Sequence, residues 1–133
     1  MAEPMQVEVV SADQIVWSGK ATNIIAKTVD GEIGILPGHS PLLGVLESSA
    51  VVIYGEDGQR NVVAVEGGFI SVAQGRVSIL SEYASMAGEV TAAEAERELA
   101  ELQQIVDGDD ASDDDRRRYD RANAQLRAAQ KAQ

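Results

Sequence analysis

Residues 51–65 read Val-Val-Ile-Tyr-Gly-Glu-Asp-Gly-Gln-Arg-Asn-Val-Val-Ala-Val. Two valine-rich apolar runs flank a short polar segment that contains the turn pair Asp57-Gly58. Branched side chains favour strands, and a short connection with glycine is typical of the turn between two antiparallel strands. This stretch therefore predicts a β-hairpin with strands over 51–54 and 61–65.

The same pattern continues on both sides of the hairpin. Short runs rich in valine and isoleucine recur between residues 5 and 82, and glycine-containing turn pairs separate them. Strands at such short, regular spacing are typical of an antiparallel sandwich or barrel. The further predicted strands are 6–10, 15–18, 23–28, 33–36, 42–46, 69–73 and 77–81, with turns at Ser18-Gly19, Asp30-Gly31, Pro37-Gly38, Gly67-Gly68 and Gln74-Gly75.

The periodicity becomes helical from residue 89 onward. Thr91 and Glu94 have the spacing of a capping box, and Ser112 to Asp115 offers a second helix start. Two apolar stripes at helical spacing, joined by a short polar loop, predict an antiparallel helical hairpin. Because the stripes contain mostly alanine, we expect this hairpin to be marginally stable alone and to dock reversibly. The stripes are Ala92, Ala95, Leu99, Leu102 and Val106, followed by Tyr119, Ala122, Leu126 and Ala129.

Charge divides the chain at the same place. The net charge of the 133 residues is −11, which disfavours binding to nucleic acid or directly to anionic lipid. Residues 1–88 contain ten acidic and four basic side chains, whereas 89–133 contain twelve and seven. We therefore predict two domains, 1–88 and 89–133. We expect neither a membrane span nor a secretory signal, because no apolar run is long enough and the N-terminus lacks a signal-peptide pattern. The absence of cysteine favours a reducing cytoplasm.

Residues suited to catalysis or metal binding are sparse. His39 is the single histidine, and it is interpreted either as a loop residue that holds the backbone through hydrogen bonds or as a partner contact. The acidic run 107–115 does not match a calcium loop, because Ser112 occupies the glycine position and Arg118 the final glutamate position. It is better explained as a solvated loop that caps the second helix. No catalytic residue, metal site or cofactor is predicted, so we expect a non-enzymatic protein.

Five arginines lie on the second predicted helix, outside its apolar stripe. Two interpretations remain open: a solvated face that balances the neighbouring acids, or a surface that pairs with carboxylates of a partner. The arginines are Arg116, Arg117, Arg118, Arg121 and Arg127.

Residues 31–43, Gly-Glu-Ile-Gly-Ile-Leu-Pro-Gly-His-Ser-Pro-Leu-Leu, closely resemble the signature loop of the epsilon subunits of F-type ATP synthases. Residues 6–13 with Trp17-Ser18-Gly19 resemble the opening hairpin of that family, and 65–72 with 77–80 resemble its closing strands. The resemblance covers the whole predicted β region. It implies a ten-stranded β-sandwich followed by a C-terminal antiparallel two-helix hairpin.

The resemblance also implies partners and a place in the cell. Members of the family bind the gamma subunit and the c-ring in the central stalk and approach the alpha and beta subunits, peripherally on the cytoplasmic face of the bacterial membrane. Carried over by position, Asp30, Gly31, Glu32 and His39 lie in or beside the loop that faces the c-ring. The protein would couple proton-driven ring rotation to gamma.

In many bacterial members the C-terminal hairpin extends along gamma and blocks ATP hydrolysis, with basic residues of its second helix on the beta subunit. This similarity would give the five arginines a binding role. Members that sense ATP carry an Asp and an Arg at the start of the first helix, where this chain has Thr91 and Glu94. Because the phosphate-facing cation is absent, ATP binding is not expected.

Two other functional hypotheses remain. A small β-sandwich isomerase or hydrolase could use Glu32 and His39, which would require a concave pocket that holds both side chains. A free-standing adaptor would instead use its helices to bind partners unrelated to an ATPase.

Overall fold

The computed structural model describes residues 3–87, 92–108 and 110–132. Nine strands followed by two helices lie within these ranges, so the predicted fold class is confirmed, with nine described strands in place of the expected ten. The elements are β1 (Met5–Val10), β2 (Ile15–Thr28), β3 (Gly31–Ile35), β4 (Leu42–Val45), β5 (Ser49–Gly55), β6 (Arg60–Val65), β7 (Phe69–Ala73), β8 (Arg76–Leu80), β9 (Ala84–Met86), α1 (Ala92–Val106) and α2 (Asp113–Ala132).

The strands form a sandwich in the order β4-β7-β8-β1-β2-β5-β6-β9, with β3 paired to β2. All pairs are antiparallel except β1 with β8. The first half of β2 pairs with β1 and its second half pairs with β3 and β5, so this strand belongs to both layers. The predicted hairpin is confirmed as β5–β6.

The predicted turn at Ser18-Gly19 is wrong, because β2 runs through it without interruption. Gly19 pairs with Val7 of β1, and a β-carbon on Gly19 would lie 3.1 Å from the indole of Trp17. Glycine therefore makes room for the indole on the strand surface. The two predicted strands 15–18 and 23–28 are consequently one strand of 14 residues.

Strand β9 was not predicted. Its three residues, Ala-Ser-Met, include no branched or aromatic side chain, so they carry no strand signal of their own. The strand exists because Ala84 and its neighbours pair with β6, starting opposite Val65. Tertiary pairing therefore determines the conformation here.

One apolar core lies between the two layers. Inward side chains alternate with exposed ones along β1, β7 and β8, whereas β5 and β6 are buried over most of their length. The fully buried members include Met5, Val7, Val9, Ile24, Ile35, Val51, Ile53, Val63, Val65, Ile70 and Ile79. Such dense packing of branched side chains makes the sandwich a stiff body.

The two helices pack against each other, and α2 lies directly on β5 and β6. Four members of the predicted stripes, Ala95, Leu102, Ala122 and Ala129, are buried, and the other members are half-buried. Thr91 of the proposed capping box and the domain boundary at 88/89 lie outside the described residues. Within the part of the chain that the structure describes, neither helix has the length and apolarity required to cross a bilayer.

The predicted second helix start is confirmed by a reciprocal pair of hydrogen bonds. The Ser112 amide donates to Asp115 Oδ2 at 3.1 Å, and the Asp115 amide donates to Ser112 Oγ at 3.0 Å. The bond from the Ser112 amide is the main reason why the pKa of Asp115 is lowered from 3.8, and the Ser112 hydroxyl lowers it further. A lowered pKa means that the ionised carboxylate is favoured by folding.

We expect Ser112→Ala to destabilise the start of α2 by about 1 kcal/mol, because the Asp115 amide loses its acceptor. Hydrogen exchange of the first-turn amides of α2 should accelerate. Since the folded-state pKa of Asp115 lies below its unfolded value, its contribution is complete above pH 3.8 and is lost as the pH falls through the lowered value. Asp114→Asn, which leaves both capping bonds intact, is the control; equal acceleration in both variants would contradict the capping role.

Candidate interaction surfaces

The first candidate surface surrounds strand β3. The turn before it is held by Thr28, whose hydroxyl donates to the Gly31 carbonyl at 2.8 Å and accepts from the Asp30 amide at 3.1 Å. Gly31 has a φ of 127°, a conformation available to glycine. Asp30 and Glu32 are exposed beside this turn. Neither forms an ion pair with another residue that the structure describes.

His39 lies beyond the other end of β3. Its ring Nδ1 is 2.7 Å from the Ser40 carbonyl, and its amide donates to the Leu36 carbonyl at 3.1 Å. The contact of the ring with the Ser40 carbonyl agrees with the interpretation of His39 as a loop residue that holds the backbone through hydrogen bonds. Strand β3 separates His39 from the turn at Asp30 and Gly31 by roughly 13 Å along the chain direction. Of the four residues predicted to face the c-ring, Asp30, Gly31 and Glu32 therefore lie at the start of β3, whereas His39 follows its other end.

This arrangement gives no support to chemistry by Glu32 and His39. Glu32 lines two clefts, and His39 lines neither of them. Among the described residues, no group of three or more metal-ligating side chains lies together. Glu32 and His39 therefore share neither of these two clefts.

The second candidate surface is an exposed apolar strip on the outer face of the β4-β7-β8 layer, and it was not predicted. Val45 pairs with Phe69, and Phe69 pairs with Leu80, so these side chains form a continuous row across three strands. Together with Leu43 they form what we call the apolar strip. The exposed fractions are 74% for Leu43, 46% for Val45, 51% for Phe69 and 50% for Leu80. The sequence did contain a signal for this strip. A strand with one solvated face should alternate apolar and polar residues, whereas Phe69-Ile70 places two apolar residues side by side.

The third candidate surface joins α2 to the sandwich. Arg121 Nη2 lies 3.1 Å from Glu66 Oε2, and its guanidinium stacks 4.2 Å from the centre of the Tyr83 ring. Gln125 Nε2 donates to the Tyr83 hydroxyl at 2.7 Å, and that hydroxyl donates to Ser85 Oγ at 3.1 Å. We call Glu66, Tyr83, Arg121 and Gln125 the α2 latch. The Glu66 side chain is only 9% exposed, and Arg121 is its ion-pair partner, so loss of Arg121 would leave a nearly buried carboxylate unpaired.

The latch lies on a second buried face of α2 that the sequence analysis missed. Ala124 and Ala128 are buried against Val52 and Val62 of the sheet, on the same flank as Arg121. Because Arg121 and Gln125 are polar, the sequence indicated that this side of α2 faces solvent. Their partners Glu66 and Tyr83 lie far away in sequence, so no local pattern marks the contact.

The remaining four arginines of the group point to solvent. Arg116, Arg117, Arg118 and Arg127 are exposed, and the pair between Arg118 and Glu98 is long, at 3.9 Å. Exposed pairs of this kind add little stability. These side chains are therefore free to bind another molecule while α2 stays on the sandwich.

Comparison with known proteins gives concordant matches. The family model described as "ATP synthase, Delta/Epsilon chain, beta-sandwich domain" matches residues 4–87. The chain is 47% identical to the ATP synthase epsilon chain of Streptomyces griseus, over 96% of this chain and 97% of the relative. It is 42% identical to the epsilon chain of Corynebacterium efficiens, over 99% and 97%.

Solved structures share the fold at lower identity. A chain of the Euglena gracilis mitochondrial ATP synthase matches with a TM-score of 0.78 at 19% identity, over 99% of this chain and 82% of that one. A chain of the Tetrahymena thermophila mitochondrial ATP synthase, from a structure of its central stalk and c-ring, matches with a TM-score of 0.61 at 17% identity, over 98% and 97%. At this identity the likeness shows a common fold.

Proposed function

Because this chain belongs to the family of ATP synthase epsilon chains, we propose that it works in the central stalk and couples rotation of the c-ring to the gamma subunit. An epsilon chain is a non-catalytic subunit, which agrees with the expectation of a non-enzymatic protein and removes the hypothesis of a small isomerase or hydrolase. The hypothesis of a free-standing adaptor also loses its basis. As part of a bacterial ATP synthase, the chain would lie on the cytoplasmic face of the membrane and associate with it through the complex.

The apolar strip is the observation that carries the coupling role. Soluble monomers rarely leave several large apolar side chains exposed side by side, and such patches mark contact sites. Leu43, Val45, Phe69 and Leu80 lie on a stiff sheet, so a subunit bound there would turn together with the sandwich. We assign this strip to gamma, and we assign the edge with Asp30, Gly31, Glu32 and His39 to the c-ring.

Phe69→Asp tests the assignment of the strip. Phe69 is half exposed, so the sandwich should tolerate the change, whereas burial of a charge against gamma should be unfavourable. We expect the affinity for gamma to fall by tenfold or more, measured by titration of purified gamma and by co-purification of the assembled complex. Ala73→Asp is the matched control, because Ala73 is exposed on the same strand and face outside the strip. Equal affinity for gamma in the two variants would exclude the strip as its binding site.

We further propose that residues 1–88 transmit torque and that residues 89–133 form a regulatory arm that inhibits ATP hydrolysis. What supports this is the modest contact that keeps α2 on the sandwich: small alanine side chains and the α2 latch. Release of α2 would free Arg121 to join Arg116, Arg117, Arg118 and Arg127 as contacts for carboxylates of the beta subunit. The arm would then have two docking sites of similar free energy, as a population switch requires.

A further inference from the structure

A trough runs between α2 and strand β3, away from both the apolar strip and the α2 latch. It consists of a cleft of about 250 Å³ beside α2 and a more open one of about 450 Å³ over β3. Ile25 and Glu32 line both clefts, so the two clefts adjoin. We call this feature the β3 trough.

Gly34 keeps the open end of the trough free of side chains. A β-carbon at this position would meet nothing within 4 Å, and its φ is not in the left-handed region, unlike that of Gly31. The fold of this chain therefore gives no reason for a glycine at residue 34. Gly34 pairs with Ile25, so the bare backbone lies beside the residue that joins the two clefts. A glycine within a strand often marks a site where another main chain or a ligand approaches closely.

The helix wall of the trough is cationic. Arg127 and Lys131 are one turn apart on α2 and both line the cleft, together with Asn123. Neither cation forms an ion pair with a residue that the structure describes, whereas Lys27 at the mouth is already paired with Glu47 at 3.5 Å. A ligand in the trough would therefore meet a partly apolar floor, the carboxylate of Glu32 on the β3 side, and two cations on the helix side, and these three charges have no ion-pair partner among the described residues.

We propose that the β3 trough binds an acidic, partly apolar polypeptide segment of a neighbouring subunit while α2 is docked on the sandwich. The main chain of the segment lies across Gly34, an apolar side chain covers Ile25, and a carboxylate pairs with Arg127 or Lys131. Because one wall of the trough belongs to α2, the bound segment stabilises the docked arm. This inference rests on the proposed function, since the segment belongs to the same complex.

Coupling of lysine to carboxylates with a water-soluble carbodiimide, applied to the purified complex, tests the proposal. The chain contains three lysines, Lys20, Lys27 and Lys131, so products are easily assigned by mass spectrometry. We expect Lys131 to couple to an acidic residue of another subunit, and Lys131→Arg to abolish that product while it keeps the charge. Gly34→Leu should reduce the product at least tenfold and leave Lys20 products unchanged.

Two results would overturn the inference and leave the coupling role standing. In the first, all products of Lys131 are intrachain. In the second, an intersubunit product forms but Gly34→Leu leaves it unaltered. A chain that never co-purifies with a rotary ATPase would overturn both. Thermal unfolding of isolated Gly34→Leu should match that of the wild type, which separates loss of the partner from loss of the fold.

Discussion

Replacement of Gly68 by alanine is expected to lower the free energy of unfolding by about 3 kcal/mol or more. Gly68 has a φ of 109°, and an added β-carbon would lie 2.0 Å from the Leu80 carbonyl oxygen and 2.9 Å from the Ser81 α-carbon. Both obstacles are backbone atoms. Leu80 is held by its pairing with Phe69 and Val10, so the end of β8 would have to move. Urea denaturation followed by circular dichroism measures the loss.

Two other glycines separate the causes of that loss. Gly75 has a φ of 77° but open space around its α-carbon, so Gly75→Ala should lose only about 1 kcal/mol through backbone strain. Gly34 has neither constraint, and Gly34→Ala should stay within about 0.5 kcal/mol of the wild type. A Gly68→Ala protein as stable as Gly75→Ala would mean that the end of β8 yields, which would contradict the stiffness assumed for torque transmission.

The hairpin β5–β6 was predictable because its signal is local. Valine-rich runs flank the turn at Asp57-Gly58, and Gly58 has the positive φ that such a turn requires. The alternation of buried and exposed residues on β1 and β8 follows from the same period of two. The positions of these strands along the chain could therefore be predicted without knowing which strands pair with each other.

Long-range pairing decides the features that the sequence did not reveal. Gly19 looked like a turn residue, and only its pairing with Val7 under the indole of Trp17 makes it a strand residue. Strand β9 forms because β6 offers it an edge. Both depend on neighbours more than ten positions away, which a local pattern does not encode.

The candidate surfaces divide in the same way. The stretch with Glu32 and His39 was singled out by resemblance, but the structure was needed to show that Glu32 lies within β3 and that His39 lies in the loop after it. The α2 latch was hidden because its residues are polar and their partners lie 55 and 42 positions away. Burial of polar side chains becomes visible only when their partners are known.

Glu66→Gln is expected to move the arm off the sandwich. The change removes the charge that pairs with Arg121 at 3.1 Å but preserves the size of a side chain that is 9% exposed. Hydrogen bonds to charged groups contribute roughly 1.5–3 kcal/mol, and a loss of about 2 kcal/mol changes the ratio of docked to undocked arm roughly 30-fold. Arg121 itself remains, so the released arm keeps all five arginines for its second docking site.

We therefore expect the complex with Glu66→Gln to hydrolyse ATP more slowly than the wild type. Truncation after Gly88 should have the opposite effect, because it removes the arm, and in the truncated background Glu66→Gln should change nothing. Docking can be followed independently by energy transfer between dyes on Ala100→Cys and Ser78→Cys, two exposed positions on α1 and β8. Glu82→Gln is the matched control: Glu82 lines the same cleft as Arg121, but no ion pair joins it to a described residue.

The two measurements separate the role of the α2 latch in docking the arm from the effect of the arm on ATP hydrolysis. If energy transfer falls in Glu66→Gln while hydrolysis is unchanged, the latch holds α2 but the arm does not inhibit, and the subunit retains the coupling role alone. If energy transfer is the same in Glu66→Gln and Glu82→Gln, the Glu66–Arg121 ion pair does not control docking, and the small apolar contact of Ala124 and Ala128 must hold α2. Inhibition by a movable arm requires both signals to change together, because slower hydrolysis must come from arms that have left the sandwich.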